Sequence, residues 1–336
     1  MPFRDPTAPG AEALDPLARF FALEAAFDQG RGVLGDHVPL RLVAANLVLA
    51  EGEPEVIAAE VRGMTEDLID RLGRFSPFRG SMALLIAAIL RERGDTPEAL
   101  VAELERVRPL LREAKVRRNQ VFEGIAVLAL RIRGGLAPVD AALVERMQAI
   151  YSAMKTHHWM LTGPEDLPAC AFLATTELSP ELAGARAHAI YEGLRARPRT
   201  WGGDPLQTAS NLLTLSPLEP DELVERFVIL AETFHAQGMR IRQHHYDEVA
   251  LLCFLARPAA KIVETVLGYA EAIRAELRWV DGNMGFGLAT NLAYVRLVGG
   301  DAQLGVLADA KTLLDMQTII AARQAAAAAA AAGAAG

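Results

Sequence analysis

The sequence predicts an all-α fold built from about seven antiparallel helical hairpins of roughly 40 residues each, and two observations predict it. The first is that prolines recur 38 to 43 residues apart, each at or near the start of an amphipathic segment. The second is that apolar residues follow helical spacing, while no segment alternates apolar and polar residues for long enough to form a sheet. The seven prolines are Pro16, Pro54, Pro97, Pro138, Pro180, Pro220 and Pro258.

The first helix of each hairpin is predicted to begin at its proline. Proline suits the first turn of a helix because its missing N–H would have no partner there and its fixed φ is already helical. Some of these prolines follow a capping residue and precede an acid, as in Thr-Pro-Glu at 96–98 and Ser-Pro-Glu at 179–181. Such neighbours bind free N–H groups and suit the positive end of the helix dipole, so they mark helix starts.

The second helix of each hairpin is shorter and apolar on most of its faces, which predicts that it is buried. In chain order these segments read RLVAANLVLA, SMALLIAAIL, VFEGIAVLALRI, LPACAFLATTE, LQTASNLLTL, DEVALLCFLA and GLATNLAYVRL. A period near 40 residues is typical of HEAT or armadillo arrays, in which each hairpin buries its apolar face against its neighbours, so we expect an α-solenoid. A closed α/α toroid is the alternative, and it differs from a solenoid only in how strongly the stack of hairpins curves.

The chain is expected to contain four segments. Residues 1–14 are predicted to be a flexible N-terminus, and residues 15–300 to be the helical-repeat domain. Residues 301–324 have the pattern of one more amphipathic helix, which would cap the last hairpin. Residues 325–336 form an alanine-rich tail with no apolar face to bury, and this tail is expected to fray.

Composition limits the class of protein. Of the 336 residues, 51% are hydrophobic and 23% are charged, which is typical of a globular chain. The net charge of -8 argues against a surface built for nucleic acid. Cys170 and Cys253 are too few for a disulfide framework, and no apolar run is long enough to span a bilayer. We therefore expect a cytoplasmic protein that binds neither nucleic acid nor membranes, and no cofactor is predicted.

A stack of hairpins has two edges, and their chemistry differs in this sequence. The connections between hairpins are short and plain, whereas the turns within hairpins are longer and contain all three tryptophans. The last six within-hairpin turns contain twelve Arg and Lys residues but only six Asp and Glu residues. Because binding residues concentrate on loops held by a rigid scaffold, this edge is the predicted binding surface. Basic residues at helix C-termini also stabilise the helix dipole without any ligand, so a purely structural role is the alternative.

The predicted binding residues come from four of these turns and from the helix starts that follow them. Arginine offers paired donors to phosphate or carboxylate, so the expected ligand carries an anionic group. The predicted residues are His157, His158, Trp159, Thr162, Arg197, Arg199, Trp201, Gln207, Arg242, His244, His245, Tyr246 and Trp279. Gln207 and Asn211 lie four residues apart on an otherwise apolar helix, so they either pin neighbouring helices together or line a cavity.

An enzyme is the second hypothesis. Two turns carry a histidine pair with carboxylates nearby, a combination that serves acid–base chemistry or metal binding. In a strongly curved array the candidate catalytic residues His158, Asp166, His245 and Asp247 face one another, and the first three are candidate metal ligands. In a shallow solenoid the two turns lie about 20 Å apart and act independently. The chain lacks an HExxH or CxxC motif, and whether it is an enzyme stays open.

The stretch from Met154 to Leu215 resembles a bacterial family catalogued as a domain of unknown function, number four thousand and three. The resemblance rests on an H-x-x-L-T core from His158 to Thr162, on the acids and proline at 165–168, and on a leucine–glutamine helix beginning near Leu206. It implies a mostly helical bacterial protein and supplies no activity. The leading prediction is therefore a non-enzymatic helical-repeat protein that binds a partner protein or a small anionic ligand through its within-hairpin turns.

Overall fold

The computed structural model describes residues 15–29, 37–158, 160–277, 280 and 282–298, and throughout these ranges the chain is helical or forms turns, without a β-strand. The described residues fall into two compact units, one ending at Arg108 and the other beginning at Pro109. The boundary lies inside one helix.

None of the described helices is both long and apolar enough to cross a lipid bilayer. The all-α prediction is confirmed for the described residues, whereas the predicted helix at 301–324 and the tail lie outside them.

The first unit consists of two complete hairpins and the start of a third. Helix α1 packs against α3, and α2 packs against α4, so equivalent helices of the two hairpins are neighbours. The helices are α1 (Pro16–Asp28), α2 (His37–Asn46), α3 (Pro54–Arg71), α4 (Ser81–Arg93) and α5 (Pro97–Glu113), of which α5 continues into the second unit.

The second unit repeats the same alternation of longer and shorter helices. Short 3-10 helices at Pro164–Asp166 and Gln243–His245 precede α8 and α12. Its helices are α6 (Gln120–Arg133), α7 (Ala141–His157), α8 (Leu167–Ala174), α9 (Pro180–Arg195), α10 (Asp204–Leu213), α11 (Pro220–Ala236), α12 (Tyr246–Leu252), α13 (Ala259–Glu276) and α14 (Gly282–Val298). The first helices pack in the order α7, α9, α11 and α13, while α6 packs on α8 and α12 packs on both α10 and α14.

The prolines mark helix starts as predicted. Helices α1, α3, α5, α9 and α11 each begin at one. Helix α7 begins three residues after Pro138, because the Asp140 carboxylate accepts the Leu143 N–H at 2.7 Å and caps the helix there. The last proline is the N-cap of α13.

The second helices form the core, as their apolar faces predict. All eight residues of α8 are buried, and so are most residues of α4, α6, α10 and α12. Helix α12 is shorter than predicted and ends at Leu252, because Phe254 and Leu255 make i→i−3 bonds that tighten the chain into a turn. Helix α2 begins earlier than predicted, at His37.

Three arginines at equivalent helix positions donate hydrogen bonds to the connections between hairpins, and we call them the arginine ladder. Arg146, Arg186 and Arg226 stand 40 residues apart at matching positions of α7, α9 and α11. Arg146 donates to the carbonyls of Ala174, Thr176 and Leu178, at 2.9, 2.9 and 2.5 Å. The other two donate in the same way to carbonyls after α10 and α12. The cations at this edge of the second unit therefore bind carbonyls that the ends of helices leave free.

Candidate functional site

Three successive within-hairpin turns of the second unit contact one another. We call them the rim; it comprises residues 158, 160–166, 196–203 and 237–245. The Gln207 amide, at the start of α10, donates to the Thr162 hydroxyl at 3.2 Å. The Trp201 N–H donates to the Tyr246 hydroxyl at 3.0 Å, and the Gln243 amide donates to the Gly202 carbonyl at 3.0 Å. The last bond joins two turns directly, and the other two join a turn to the helix that follows the next turn, so α10 and α12 help to hold the three turns together.

The predicted binding residues divide into exposed and buried groups. Those outside the described residues are Trp159 and Trp279. The exposed ones are His157, Arg197, Arg199, Trp201, Arg242 and His244, whereas Thr162, Gln207, His245 and Tyr246 are buried and His158 is half-buried. Two apolar side chains of the rim face solvent, since Met160 is 76% exposed and Trp201 is 62% exposed. The exposed group has the chemistry of a binding surface, and the buried group holds the turns together.

A small cleft, open to solvent, lies between α11 and the second and third turns of the rim. Its charged and titratable side chains are Arg199, Glu232, His235 and Arg240. Neither guanidinium has an ion-pair or hydrogen-bond partner in the part of the chain that the structure describes. The cleft therefore presents two arginines with all their donors available.

The backbone at Arg199 has an uncommon conformation. Its φ of 66° lies in the left-handed region, which costs an L-residue roughly 1 kcal/mol or more. The turn is fixed on both sides, because the Thr200 N–H donates to the Arg197 carbonyl and the Trp201 N–H binds Tyr246. The fold thus holds Arg199 at the wall of the cleft in a conformation that the free chain would rarely adopt.

Tyr191 fixes the other end of the same turn. Its hydroxyl accepts the Gly203 N–H at 3.0 Å. A Cβ at position 202 would lie 2.8 Å from that hydroxyl, so the turn needs glycine there. The two tyrosines, Tyr191 and Tyr246, thereby position the wall of the cleft from neighbouring helices.

A cluster of three histidines lies beside this turn. The rings of His157 and His188 stack with centroids 4.7 Å apart, and His158 Nε2 and His188 Nδ1 are 3.1 Å apart, within hydrogen-bonding distance. The His158 ring also packs edge-on against Tyr191. Burial lowers the pKa of His158, and the neighbouring His188 imidazole lowers it further. The sequence missed His188, because it lies in the middle of α9 rather than in a turn.

A buried carboxylate, Asp166, connects the first turn of the rim to α10. Its Oδ2 accepts the Gly163 N–H at 3.0 Å and the Gln207 amide at 3.1 Å, and its Oδ1 accepts the Asn211 amide at 2.8 Å. Burial raises the pKa of Asp166 to about 7, against the opposing effect of its donors. This network pins neighbouring helices together, which is one of the two roles expected for Gln207 and Asn211.

His245 takes the place of Asp166 at the next 3-10 helix of the rim. Its Nδ1 accepts the Arg242 N–H at 3.2 Å, as the Asp166 carboxylate accepts the Gly163 N–H. Burial and, to a lesser degree, the adjacent His244 imidazole lower the pKa of His245 to about 4. A neutral, buried imidazole therefore caps this turn.

Two adjacent acids, Asp247 and Glu248, are the second and third residues of α12. Each has one buried carboxylate oxygen without a hydrogen-bond partner in the described ranges. Burial raises the pKa of Asp247 to about 7 and that of Glu248 to about 8, with the Asp247 charge adding to the second shift. A Cβ at Gly287 of α14 would lie 3.3 Å from Glu248 Oε1, so α14 passes close to this carboxylate.

These raised pKa values predict that the protein loses stability as pH rises. Asp166, Asp247 and Glu248 retain protons in the folded state that the unfolded chain releases near pH 4, so stability falls progressively as pH rises from about 4, and the loss is complete near pH 8. The lowered pKa of buried His245 makes stability rise with pH instead, but mainly below pH 6.5. We expect Tm to fall by roughly 5 °C from pH 6.5 to pH 8 in scanning calorimetry.

The double variant Asp247→Asn/Glu248→Gln is the matched control for this pH effect. It removes two of the three groups and preserves their size, so its Tm should vary less than half as much over the same interval. A wild-type Tm that stays level or rises between pH 6.5 and 8 would contradict the burial of these acids.

The four candidate catalytic residues do not form hydrogen-bonded pairs with one another. His158 contacts His188 and Tyr191, Asp166 binds amides, and His245 binds a backbone N–H. Among the residues that the structure describes, no group of three or more His, Cys, Asp and Glu side chains is arranged to hold a metal ion. The enzyme and metal hypotheses therefore gain no support from this geometry.

Comparison with known proteins places the chain in a family. Part of the chain is 28% identical over 180 residues to "Uncharacterized protein YeaA" of Bacillus subtilis (strain 168). The aligned region covers 53% of this chain, and the chain spans about half (52%) of the relative's length. No solved structure matches the chain. A family model described as "Protein of unknown function (DUF4003)" matches residues 42–325. Since this match extends over most of the sequence, the chain belongs to the DUF4003 family.

Proposed function

We propose that this protein is a helical-repeat binding protein whose rim binds an anionic ligand at the cleft beside α11. The observation that carries the proposal is that Arg199 and Arg240 line this cleft and that neither guanidinium has a partner among the residues the structure describes. Two arginines that line one cleft favour an anionic ligand there, because each guanidinium can donate paired hydrogen bonds to it.

The contrast between the two edges of the second unit supports this function. Between hairpins, Arg146 and Arg186 bind backbone carbonyls and have a structural task. On the rim, Arg197, Arg199 and Arg240 make no side-chain hydrogen bond to a carbonyl of any described residue. A stabilising role at helix C-termini therefore explains the first group but leaves the rim arginines without a structural partner.

The repeat architecture suits such a role. We propose that the hairpins form an α-solenoid rather than a closed toroid, with the rim along one edge. The support is the regular packing of α7, α9, α11 and α13 and the hydrogen bonds that hold successive turns of the rim together. Solenoids commonly present their ligand-binding residues along one surface of the stack.

Isothermal titration calorimetry with sodium citrate at low salt tests this function. We expect citrate to bind the wild type and to bind a rim triple variant, Arg197→Ala/Arg199→Asn/Arg240→Ala, about tenfold more weakly or worse. Asparagine is chosen at position 199 because it tolerates a left-handed backbone. Raising the salt concentration should weaken wild-type binding, since the contact is between exposed charges.

A triple variant outside the rim provides the matched control. Arg108→Ala/Lys261→Ala/Arg274→Ala removes the same charge from exposed positions on α5 and α13. Its affinity for citrate should stay within about twofold of the wild type, because long-range effects of exposed charges are screened. Equal losses in the two triples, or a wild type that binds no carboxylate probe at all, would overturn the proposed function.

A further inference from the structure

We infer that the ligand of this cleft is a carboxylate attached to an apolar group, with the carboxylate on Arg199 and Arg240 and the apolar group on α11. This inference rests on the proposed function and narrows it to one chemical class. It follows from the charge, the size and the lining of the cleft, taken together.

The charge of the cleft fits a ligand with one negative charge. Arg199 and Arg240 supply two positive charges, and Glu232 on the facing helix supplies one negative charge. The net charge near +1 balances a single carboxylate, so one such group is enough to neutralise the cleft. The planar guanidinium offers two parallel N–H donors, which match the two oxygens of a carboxylate.

Part of the remaining lining is apolar, beside the polar groups of Thr200, His235 and Tyr246. Phe227, Val228 and Ala231 follow one face of α11, and Ile241 lies opposite in the third turn of the rim. Phe227 is held by an edge-on contact with the Tyr246 ring, at 5.7 Å between centroids, so this surface is fixed before a ligand arrives. Val228, Ala231 and Ile241 are partly exposed, with Phe227 buried behind them, so a ligand with an apolar group removes part of this surface from water and a small hydrophilic anion does not.

The size of the cleft favours a small group. The cleft is small and open to solvent, so it suits one aromatic or branched aliphatic group with its carboxylate rather than a larger molecule. Two sources supply this chemistry, a free organic acid and the C-terminal residue of a peptide. Both place one carboxylate at the two arginines and one apolar group against α11.

Titration with matched probes tests the inference. The probes are 3-phenylpropionate, acetate (the charge without the ring) and 3-phenylpropionamide (the ring without the charge). We expect 3-phenylpropionate to bind at least about tenfold more tightly than either of the others. Arg199→Asn/Arg240→Ala should abolish this preference, while Arg274→Ala, which removes one exposed cation on α13, should preserve it.

A variant of the apolar lining separates ring recognition from charge recognition. Ala231→Leu fills part of the cleft from a helical position and leaves both arginines in place. It should weaken binding of 3-phenylpropionate about fivefold or more and leave acetate binding unchanged. Equal weakening of both probes would contradict the assigned position of the ring.

Two peptide probes identify the source of the carboxylate. N-acetyl-Ala-Ala-Phe with a free carboxylate is compared with the same peptide carrying a C-terminal amide. Binding of the free acid alone, as tightly as 3-phenylpropionate or more so, would support a chain terminus as ligand. Binding of 3-phenylpropionate without the peptide would support a free organic acid.

The outcomes also distinguish this inference from the proposed function. If citrate binds through the rim arginines but 3-phenylpropionate binds no better than acetate, the rim binds anions and the inferred ligand class is wrong. If citrate does not bind and the phenyl probe does not bind either, both the function and the ligand class are overturned.

Discussion

Replacing Asp166 by alanine should lower the free energy of unfolding by about 3 kcal/mol or more. The substitution removes the acceptor for the Gly163 N–H and for the amides of Gln207 and Asn211, all of which are buried. Each buried donor left without a partner costs about 1–3 kcal/mol, and water has little access to this site because Asp166 is only 4% exposed. Urea unfolding of the purified variant measures the loss.

Asp166→Asn is the matched control for this effect. The carboxamide has the same shape and retains one acceptor oxygen, so we expect a loss of about 1 kcal/mol, well below that of the alanine variant. The asparagine variant should also show a smaller fall in Tm between pH 6.5 and 8, because it removes a group whose pKa is raised to about 7. Equal losses in the two variants would mean that the carboxylate fills space rather than binding its donors.

Replacing Arg146 by alanine should cost about 2 kcal/mol and lower Tm by roughly 3 °C. The guanidinium donates to the three carbonyls of Ala174, Thr176 and Leu178, and their geometry needs a planar group with several donors. Lysine at this position offers one ammonium on a flexible stem and should restore less than half of the loss. Differential scanning calorimetry of both variants gives the comparison.

Arg195→Ala is the control for loss of positive charge. Its guanidinium pairs with Glu192 on the exposed face of α9, and exposed pairs of this kind contribute about 0–1 kcal/mol. If Arg195→Ala destabilised the protein as much as Arg146→Ala, the arginine ladder would have no special role between hairpins.

Much of the fold could be predicted because it depends on local signals. The proline at the start of α9 fixes a helix start, and the apolar residues of α8 predict burial wherever its neighbours lie. The interruption of α12 at Leu252 could not be predicted in this way, since the segment that follows is equally apolar. Its end depends on i→i−3 bonds, and the Cys253 carbonyl there accepts a bond from Arg226 of another helix.

The candidate site was predicted only in part, for a related reason. Arg199 and Tyr246 belong to turns with unusual composition, so the sequence singled them out. Phe227 and Glu232 lie on α11, whose pattern is that of any amphipathic helix, and nothing local marks them as lining a cleft. Only the packing of α11 against turns of two hairpins reveals their role, and such packing depends on residues distant in the sequence.

Backbone amide NMR with 3-phenylpropionate tests the central claim most directly. A TROSY titration reports on every assigned amide at once, so it locates the ligand without any substitution. We expect the largest shifts at residues 198–201, along α11 from Phe227 to His235 and at residues 240–246, with little change in the connections that Arg146 and Arg186 fasten. Shifts centred on those connections or on the first unit, or no saturable shifts anywhere, would contradict a binding cleft at the rim.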